Sequence, residues 1–241
     1  MNNHESPTPI SVFEKLMTTR RSIRVFDRSR VPESVVRKAF DLAFLSPSSS
    51  NLQHWQFFRV TENLDEARIC FLKQVPVMTC QEIIIAVARP DLWKQINNKL
   101  ITRLHDARPP HYDYLVDYHT KRIPFNYERG FLGLQGFAKA MVTWLVGFAR
   151  PVPRSGFFKR RLREVAVKST ALACQTFMLA LAAQGYDSCP MEGFDAVRVR
   201  KFLKLPGDAI PVMGIAVGRR SASYIPNEQY RLGYHDKVVE L

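Results

Sequence analysis

The chain is short of the residues that would make it a secreted scaffold or a metalloprotein. It has only four cysteines in 241 residues, Cys70, Cys80, Cys174 and Cys189, and none of them form a C-x-x-C pair. That is too few for a disulfide framework in a chain of this length, and it suits a reducing compartment. The opening residues, MNNHESPTPIS, have neither a basic region nor an apolar run of the secretory kind, so the cytoplasm is the expected location. Acidic residues are scarce too: 22 Asp and Glu stand against 35 Lys and Arg, a formal net charge of +13. Such an excess calls for anionic partners, whether a phosphorylated cofactor, a membrane surface or nucleic acid. Zinc-finger spacing, an aromatic RNP-like strand and a basic helix leading into heptads are all missing, and the nucleic-acid reading is set aside on that ground.

Several catalytic signatures are missing as well. Gly130, Gly133 and Gly136 are spaced G-x-x-G-x-x-G with no strand ahead of them, which fails the dinucleotide fingerprint, and no G-x-x-x-x-G-K-[ST] occurs. There is no G-x-S-x-G elbow, and Cys189, placed before a proline, is as well explained by burial as by nucleophilic work. His105, His111 and His119 share one segment, but the prolines between the first two break any common helix face and no H-E-x-x-H appears. A surface role is expected for these three histidines, and no metal site.

What is present is a full core, with 46% hydrophobic residues, and no internal repeat or low-complexity linker, so residues 1–241 are read as a single domain. Ser11 with Glu14 makes a capping-box signature for a first helix that stops near the arginine cluster. A second helix is expected from Pro32, with apolar residues at helical spacing from Val35 to Phe44, ending at SPSSSN. Trp55 to Val60, Glu82 to Ala88 and Pro211 to Gly218 read as strands, the last two nearly continuous apolar runs suited to a sheet covered on both faces. The longest helix is expected from about Leu162 to Gln184, stopped by Gly185 and apolar on most faces, hence central and buried. Helices on both faces of a small sheet give an α+β layered domain.

The stretch from Phe131 to Ala149 holds a single charge, Lys139, and RSGFFKRRLR follows it with five basic residues in ten. This pattern could lie on a membrane interface. A helical flap over a pocket, or half of a dimer interface, explains it better, and membrane-surface contact through residues 131–163 is the less favoured reading.

Three separated segments carry the functional signal. In RRSIRVFD, Arg20, Arg21, Ser22 and Arg24 cluster at a helix end, where guanidinium forks and a hydroxyl suit a phosphate. Charge-assisted hydrogen bonds of this kind contribute about 1.5–3 kcal/mol each. SPSSSNLQHWQF groups small hydroxyls, the amides Asn51 and Gln53, and Trp55, which equips it to hydrogen-bond a polar heterocycle and its hydroxylated chain. In CPMEGFD, Pro190 and Gly193 bracket Glu192, marking a main chain that is being aimed, with Asp195 as the cap of a following helix.

In this order and spacing, the three segments resemble the FMN-dependent nitroreductase family: RRS-x-R-x-F near the N-terminus, then SPS-S-x-N-x-Q-x-W-x-F, then P-x-E-G-F-D after a long helix. The resemblance covers the chain apart from roughly residues 92–158, read as a helical flap or insert. It implies a mostly antiparallel central sheet flanked by helices, and a homodimer with one FMN in each of two interface sites. NADH or NADPH would reduce the flavin, and a small conjugated acceptor such as a nitroaromatic or quinone would reoxidise it in ping-pong order. By motif position, Arg20, Arg21, Ser22 and Arg24 would hold the phosphate and the pyrimidine side, with Arg231 in YRL as a further phosphate contact. Pro47, Ser48, Ser49 and Asn51, with Gln53 nearby, would come from the other subunit. Pro190, Met191, Glu192 and Gly193 would line the flavin face, the Glu192 backbone N–H donating toward N5 beside its carboxylate, which is not cast as a general base.

The chain departs from the family pattern in places. His54 stands where many members have proline, and Gln229 where a lysine is often found. Lys73 and Gln74 are the candidates for the pyrimidine-ring contact, and Phe125, Tyr127 and Phe131 are the aromatic candidates to cover the flavin. Two other readings stay open: the same fold doing reductive dehalogenation or dehydrogenation, and a non-enzymatic peripheral membrane or anion-binding protein built around RSGFFKRRLR.

Overall fold

Four strands form one antiparallel sheet: β1 (Trp55–Val60), β2 (Glu82–Ala88), β3 (Asp187–Met191) and β4 (Ile210–Gly218), in the order β1-β2-β4-β3. The computed structural model describes residues 8–128, 134–152 and 159–241. Phe131, the first half of RSGFFKRRLR (Arg154 to Phe158), and Gly130 and Gly133 of the glycine-spaced run lie outside the described residues.

β2 is buried along its whole length because both of its faces are used. Ile83, Ile85 and Val87 point into one core with Phe71 and Val77, while Ile84 and Ala86 point into another with Phe177 and Leu181. This period-2 split explains why the strand reads as a continuous apolar run. β3, the edge strand, was not among the strands expected from sequence. Pro190 sits within it, opposite Ile215, and an edge position tolerates a residue with no N–H to give to a ladder.

The first helix, α1 (Pro9–Thr19), begins earlier than the Ser11–Glu14 signature implied: Thr8 is the cap, its Oγ1 accepting from Ser11 N at 3.3 Å. Pro9 at the first helical position favours that start. α2 (Glu33–Ala43) follows from Pro32 as read. α3 (Leu64–Cys70) and α4 (Val75–Thr79) lie between β1 and β2. The 92–158 stretch contributes α5 (Trp93–Ala107), α6 (Tyr112–Asp117), a π-turn at Tyr118–Arg122, α7 (Ile123–Tyr127) and α8 (Leu134–Ala149).

The long helix, α9 (Lys159–Ala183), packs Cys174, Phe177 and Leu181 against α2 and the sheet. It is long and apolar enough to cross a membrane by composition, but here that apolar surface is spent on the core. Gly185 at φ 77° ends it, with Tyr186 N donating to Leu181 O at 3.0 Å, a closure that needs the left-handed region. α10 (Ala196–Phe202) is capped by Asp195, whose Oδ1 accepts from Val197 N and Arg198 N at 3.0 Å each, as expected. A short helix, α11 (Tyr234–Lys237), lies near the C-terminal end of the sequence.

One of the three histidines departs from the surface role expected for it. His119 is buried: its Nδ1 lies 2.7 Å from Asn97 Oδ1, and Asn97 Nδ2 donates to His119 O at 2.8 Å, a reciprocal pair that ties α5 to the π-turn. The prolines that spoil a shared helix face do not stop a single imidazole from being buried with a partner of its own.

Candidate active site

Ser22 forms a parallel bridge with Ser188, and Ile23 N donates to Ser188 O at 3.1 Å, so the segment after α1 runs beside the β3 edge. Phe26 bridges Arg220, Asp27 N donates to Arg219 O at 3.0 Å, and Phe26 N donates to Thr79 Oγ1 at 3.2 Å. This alignment brings the first and third sequence motifs together. Ser22, Arg24, Gln74, Cys189, Pro190 and Met191 line one cavity of about 390 Å³.

The loop carrying Glu192 is tied to the α3–α4 region at three points. Asp195 N donates to Cys70 O at 2.9 Å, Gln74 Nε2 donates to Gly193 O, and the Phe194 ring lies 5.5 Å from that of Phe71. Glu192 stands one residue past β3, exposed, its carbonyl accepting from Phe194 N at 3.1 Å. The aimed main chain inferred from Pro190 and Gly193 is therefore physically braced. Of the two pyrimidine-ring candidates, Gln74 lines the cavity; Lys73 is exposed, with φ 52°.

The arginines of the first motif crowd one another. Burial first, then the positive charges of Arg231 and Arg21, hold the Arg20 guanidinium below its ordinary value. Arg21 Nη1 is buried with no hydrogen-bond partner. Gln229 Nε2 donates to Arg20 O at 3.0 Å and to Met17 O at 3.2 Å. Where a lysine is often found, this chain thus uses a neutral amide to bind the C-terminal segment to the end of α1.

The serine-rich loop sits elsewhere in the same chain. Ser50, Asn51 and Gln53 all have positive φ, at 55°, 53° and 42°. Gln53 N donates to Ser48 Oγ at 3.0 Å, and Ser50 Oγ lies 2.9 Å from Tyr118 Oη. Non-glycine residues in this region cost free energy and cluster where a loop is held for function. Pro47, Ser49 and Asn51 are exposed, alternating with more buried neighbours. Ser49 and Ser50 line a cavity of about 450 Å³ with Phe125, Tyr127 and the inner side of α8, while Gln53 faces a cavity of about 710 Å³ between α2, β1 and α5. Neither cavity is lined by residues of the arginine cluster or of the Glu192 loop.

Two aromatic candidates take different roles. Phe125 is exposed, but Tyr127 is buried, its Oη 3.1 Å from His54 Nε2 and its ring against Trp93. His54 is fully buried, its Nδ1 has no partner, and burial lowers its pKa to about 4, so the imidazole is neutral. Sequence alone gave no sign of this pair, since nothing in the spacing links residues 73 positions apart.

The cysteines offer no nucleophile. Burial pushes the Cys80 and Cys174 thiols up to about 11 and about 12, and raises that of Cys189 as well. Among the described residues no group of three or more His, Cys, Asp or Glu side chains could hold a metal ion.

The Nitroreductase family model matches residues 17–219. Protein DrgA of Synechocystis sp. is 27% identical over 205 residues, which cover 84% of this chain and 81% of that protein. The crystal structure of ydfN from Bacillus subtilis superposes with a TM-score of 0.74 at 21% identity, covering 96% of this chain and 100% of that one. An FMN complex from Exiguobacterium sibiricum gives 0.69 at 21% identity, covering 98% and 99%. The matched span takes in the arginine cluster, the serine loop and the braced Glu192 loop, and the chain belongs to the nitroreductase family of oxidoreductases.

Proposed function

We propose that the chain is an FMN-dependent NAD(P)H oxidoreductase that acts as a homodimer and reduces nitroaromatics, quinones or similar conjugated acceptors. The state of the arginine cluster carries this reading. Burial first, and then the neighbouring cations Arg231 and Arg21, hold Arg20 below its ordinary value, and Arg21 Nη1 is buried without a partner, so a phosphate would supply the missing acceptors and relieve the repulsion. Arg20, Arg21 and Arg231 would hold that phosphate. Ser22, Arg24 and Gln74 would face the pyrimidine side, and Pro190 to Gly193 the flavin face. When bound, the flavin would take hydride at N5 from NADH or NADPH and return it to the acceptor.

The protein's own contribution is orientation. Gln74, Phe71 and Cys70 fix the Glu192 main chain, so its N–H can be aimed at a fixed point without reorganisation. The exposed face of Pro47, Ser49 and Asn51 supports donation of the serine loop to the partner's site. The helices of residues 92–158 would act as the flap over it, with Phe125 in reach of the acceptor.

The test is a visible spectrum of the protein purified without added cofactor, followed by anaerobic NADPH and, separately, NADH. A flavin band that bleaches, with FMN identified after release, is the expected result. A colourless protein that takes up no added FMN would sink the reading.

A further inference from the structure

The cavity of about 450 Å³ between the serine loop, α7, α8 and α9 carries charge of one sign only. Val142, Val146 and Arg150 line it from successive turns at the inner side and end of α8, and Leu162 and Val165 line it from α9. Arg150 follows α8 directly, and Arg161 lies in the first turn of α9, so both guanidiniums come from the ends of the two walls. The serine loop is tied further along α9, where Ser49 N donates to Ser169 Oγ at 3.4 Å, about 12 Å from Arg161 by helical rise.

Among the described residues no Asp or Glu lines this cavity. Arg150 is exposed and its guanidinium has no ion-pair partner among the described residues. Arg161 shares Glu164 with Arg160, at 3.6 Å and 3.5 Å, distances long for a charge-assisted hydrogen bond. The larger cavity of about 710 Å³ differs: it mixes Glu33 and Asp41 with Arg37, Arg59, Lys99 and Arg103, and so selects no charge.

We propose that the 450 Å³ cavity binds an apolar monocarboxylate, with the carboxylate between Arg150 and Arg161 and the body along Val142, Val146, Leu162 and Val165. The other end of the molecule would lie toward Ser49 and Phe125. This deepens the flavin reading and rests on it in one respect: if the serine loop borders the partner's flavin, the bound acid is the electron acceptor. The lining chooses the occupant. A neutral acceptor would fill the walls but leave two cations unmatched. A dinucleotide would set ribose hydroxyls and a second phosphate against aliphatic side chains that offer them no partner.

The experiment compares 4′-nitrobiphenyl-4-carboxylate with its carboxamide, which keeps the nitro group and the shape and removes the charge. Calorimetric titration of the full chain should show the acid binding about tenfold tighter or more, with an advantage that shrinks as salt is raised. As acceptors, the two should differ in KM more than in kcat. In the Arg150→Gln/Arg161→Gln double variant the acid should fall to the level of the amide, and Val146→Phe should weaken both. The comparison of acid with amide in the unaltered protein stands even if a variant fails to fold. Equal binding of acid and amide would overturn the proposal. So would a preference that survives the double variant but is lost in Arg20→Ala, because the carboxylate would then sit on the arginines of the first motif. Binding is read without turnover. A colourless protein that prefers the acid through Arg150 and Arg161 would sink the flavin reading and leave the carboxylate site standing, and a flavoprotein blind to the charge would do the opposite.

Discussion

A Cβ placed on Gly214 would lie 2.1 Å from Cε1 and 2.3 Å from Cζ of the fully buried Phe71 ring. The glycine in the middle of β4 is what allows that ring to approach the strand so closely, and the ring in turn supports Phe194 in the Glu192 loop. Gly214→Ala should therefore destabilise the fold by about 1–3 kcal/mol or more through overpacking, read as a lowered denaturant midpoint. Adding Phe71→Leu should recover part of the loss, a non-additivity expected for two groups in contact. Simple addition of the two costs would contradict the packing argument.

Arg20→Ala removes a charge-assisted contact to the proposed phosphate while relieving the repulsion from Arg231 and Arg21. FMN affinity should drop about 10- to 150-fold, the equivalent of about 1.5–3 kcal/mol. The flavin-free protein should be no less stable than the original. Titration of apoprotein with FMN, next to thermal melts of the same sample, reads both; an apoprotein clearly destabilised by the change would mean that Arg20 holds the fold.

Gln74→Leu deletes the bond from Nε2 to Gly193 O without opening a large cavity. The braced loop should loosen, and the rate of flavin reduction by the nicotinamide should fall about 3- to 10-fold, as for loss of one neutral hydrogen bond. Stopped-flow reduction at saturating FMN separates this from weaker cofactor binding, and an unchanged rate would remove Gln74 from the bracing role.

His54 titrates at about 4 in the fold because burial disfavours its charged form, against about 6.5 in an unfolded chain. Below pH 6.5 the unfolded state takes up the proton and the native state does not, so stability falls as pH drops from about 6.5 to about 4 and this contribution levels off below that. The gap amounts to about 3 kcal/mol. His54→Phe should flatten that part of the pH–stability curve relative to the original protein, with urea unfolding at a series of pH values as the measurement. Parallel curves would show that His54 is not the group responsible.

The parts of the molecule legible in its sequence are those written in local signals. Three strands, the long helix, the Pro32 start and the Asp195 cap follow from periodicity and capping chemistry, which act over a few residues. β3 escaped because a five-residue edge strand containing Pro190 does not look like one. For the site, the arginine cluster and the Glu192 loop were readable as motifs, but their meeting depends on the Ser22–Ser188 bridge, a contact across the whole chain. The same holds for Tyr127: an aromatic residue in a flap-like stretch says nothing of a buried histidine waiting for its hydroxyl. The direction in which α8 faces is equally hidden, since its composition suits a buried helix and an exposed one alike.

The segment from Ser22 to Phe26 is joined to the sheet by two isolated bridges, where a true strand would have a ladder. Ile23 and Phe26 anchor it in the core, so what an anion could tighten is the arginine run at its N-terminal end, Arg20 and Arg21, together with Arg24 within it. An anion seated there would act as a clasp on this run, so that part of its binding free energy goes into tightening the run itself. Holding the cofactor and fixing these arginines in place would then be one event, and a protein stripped of it would be expected to exchange amide hydrogens first along this run.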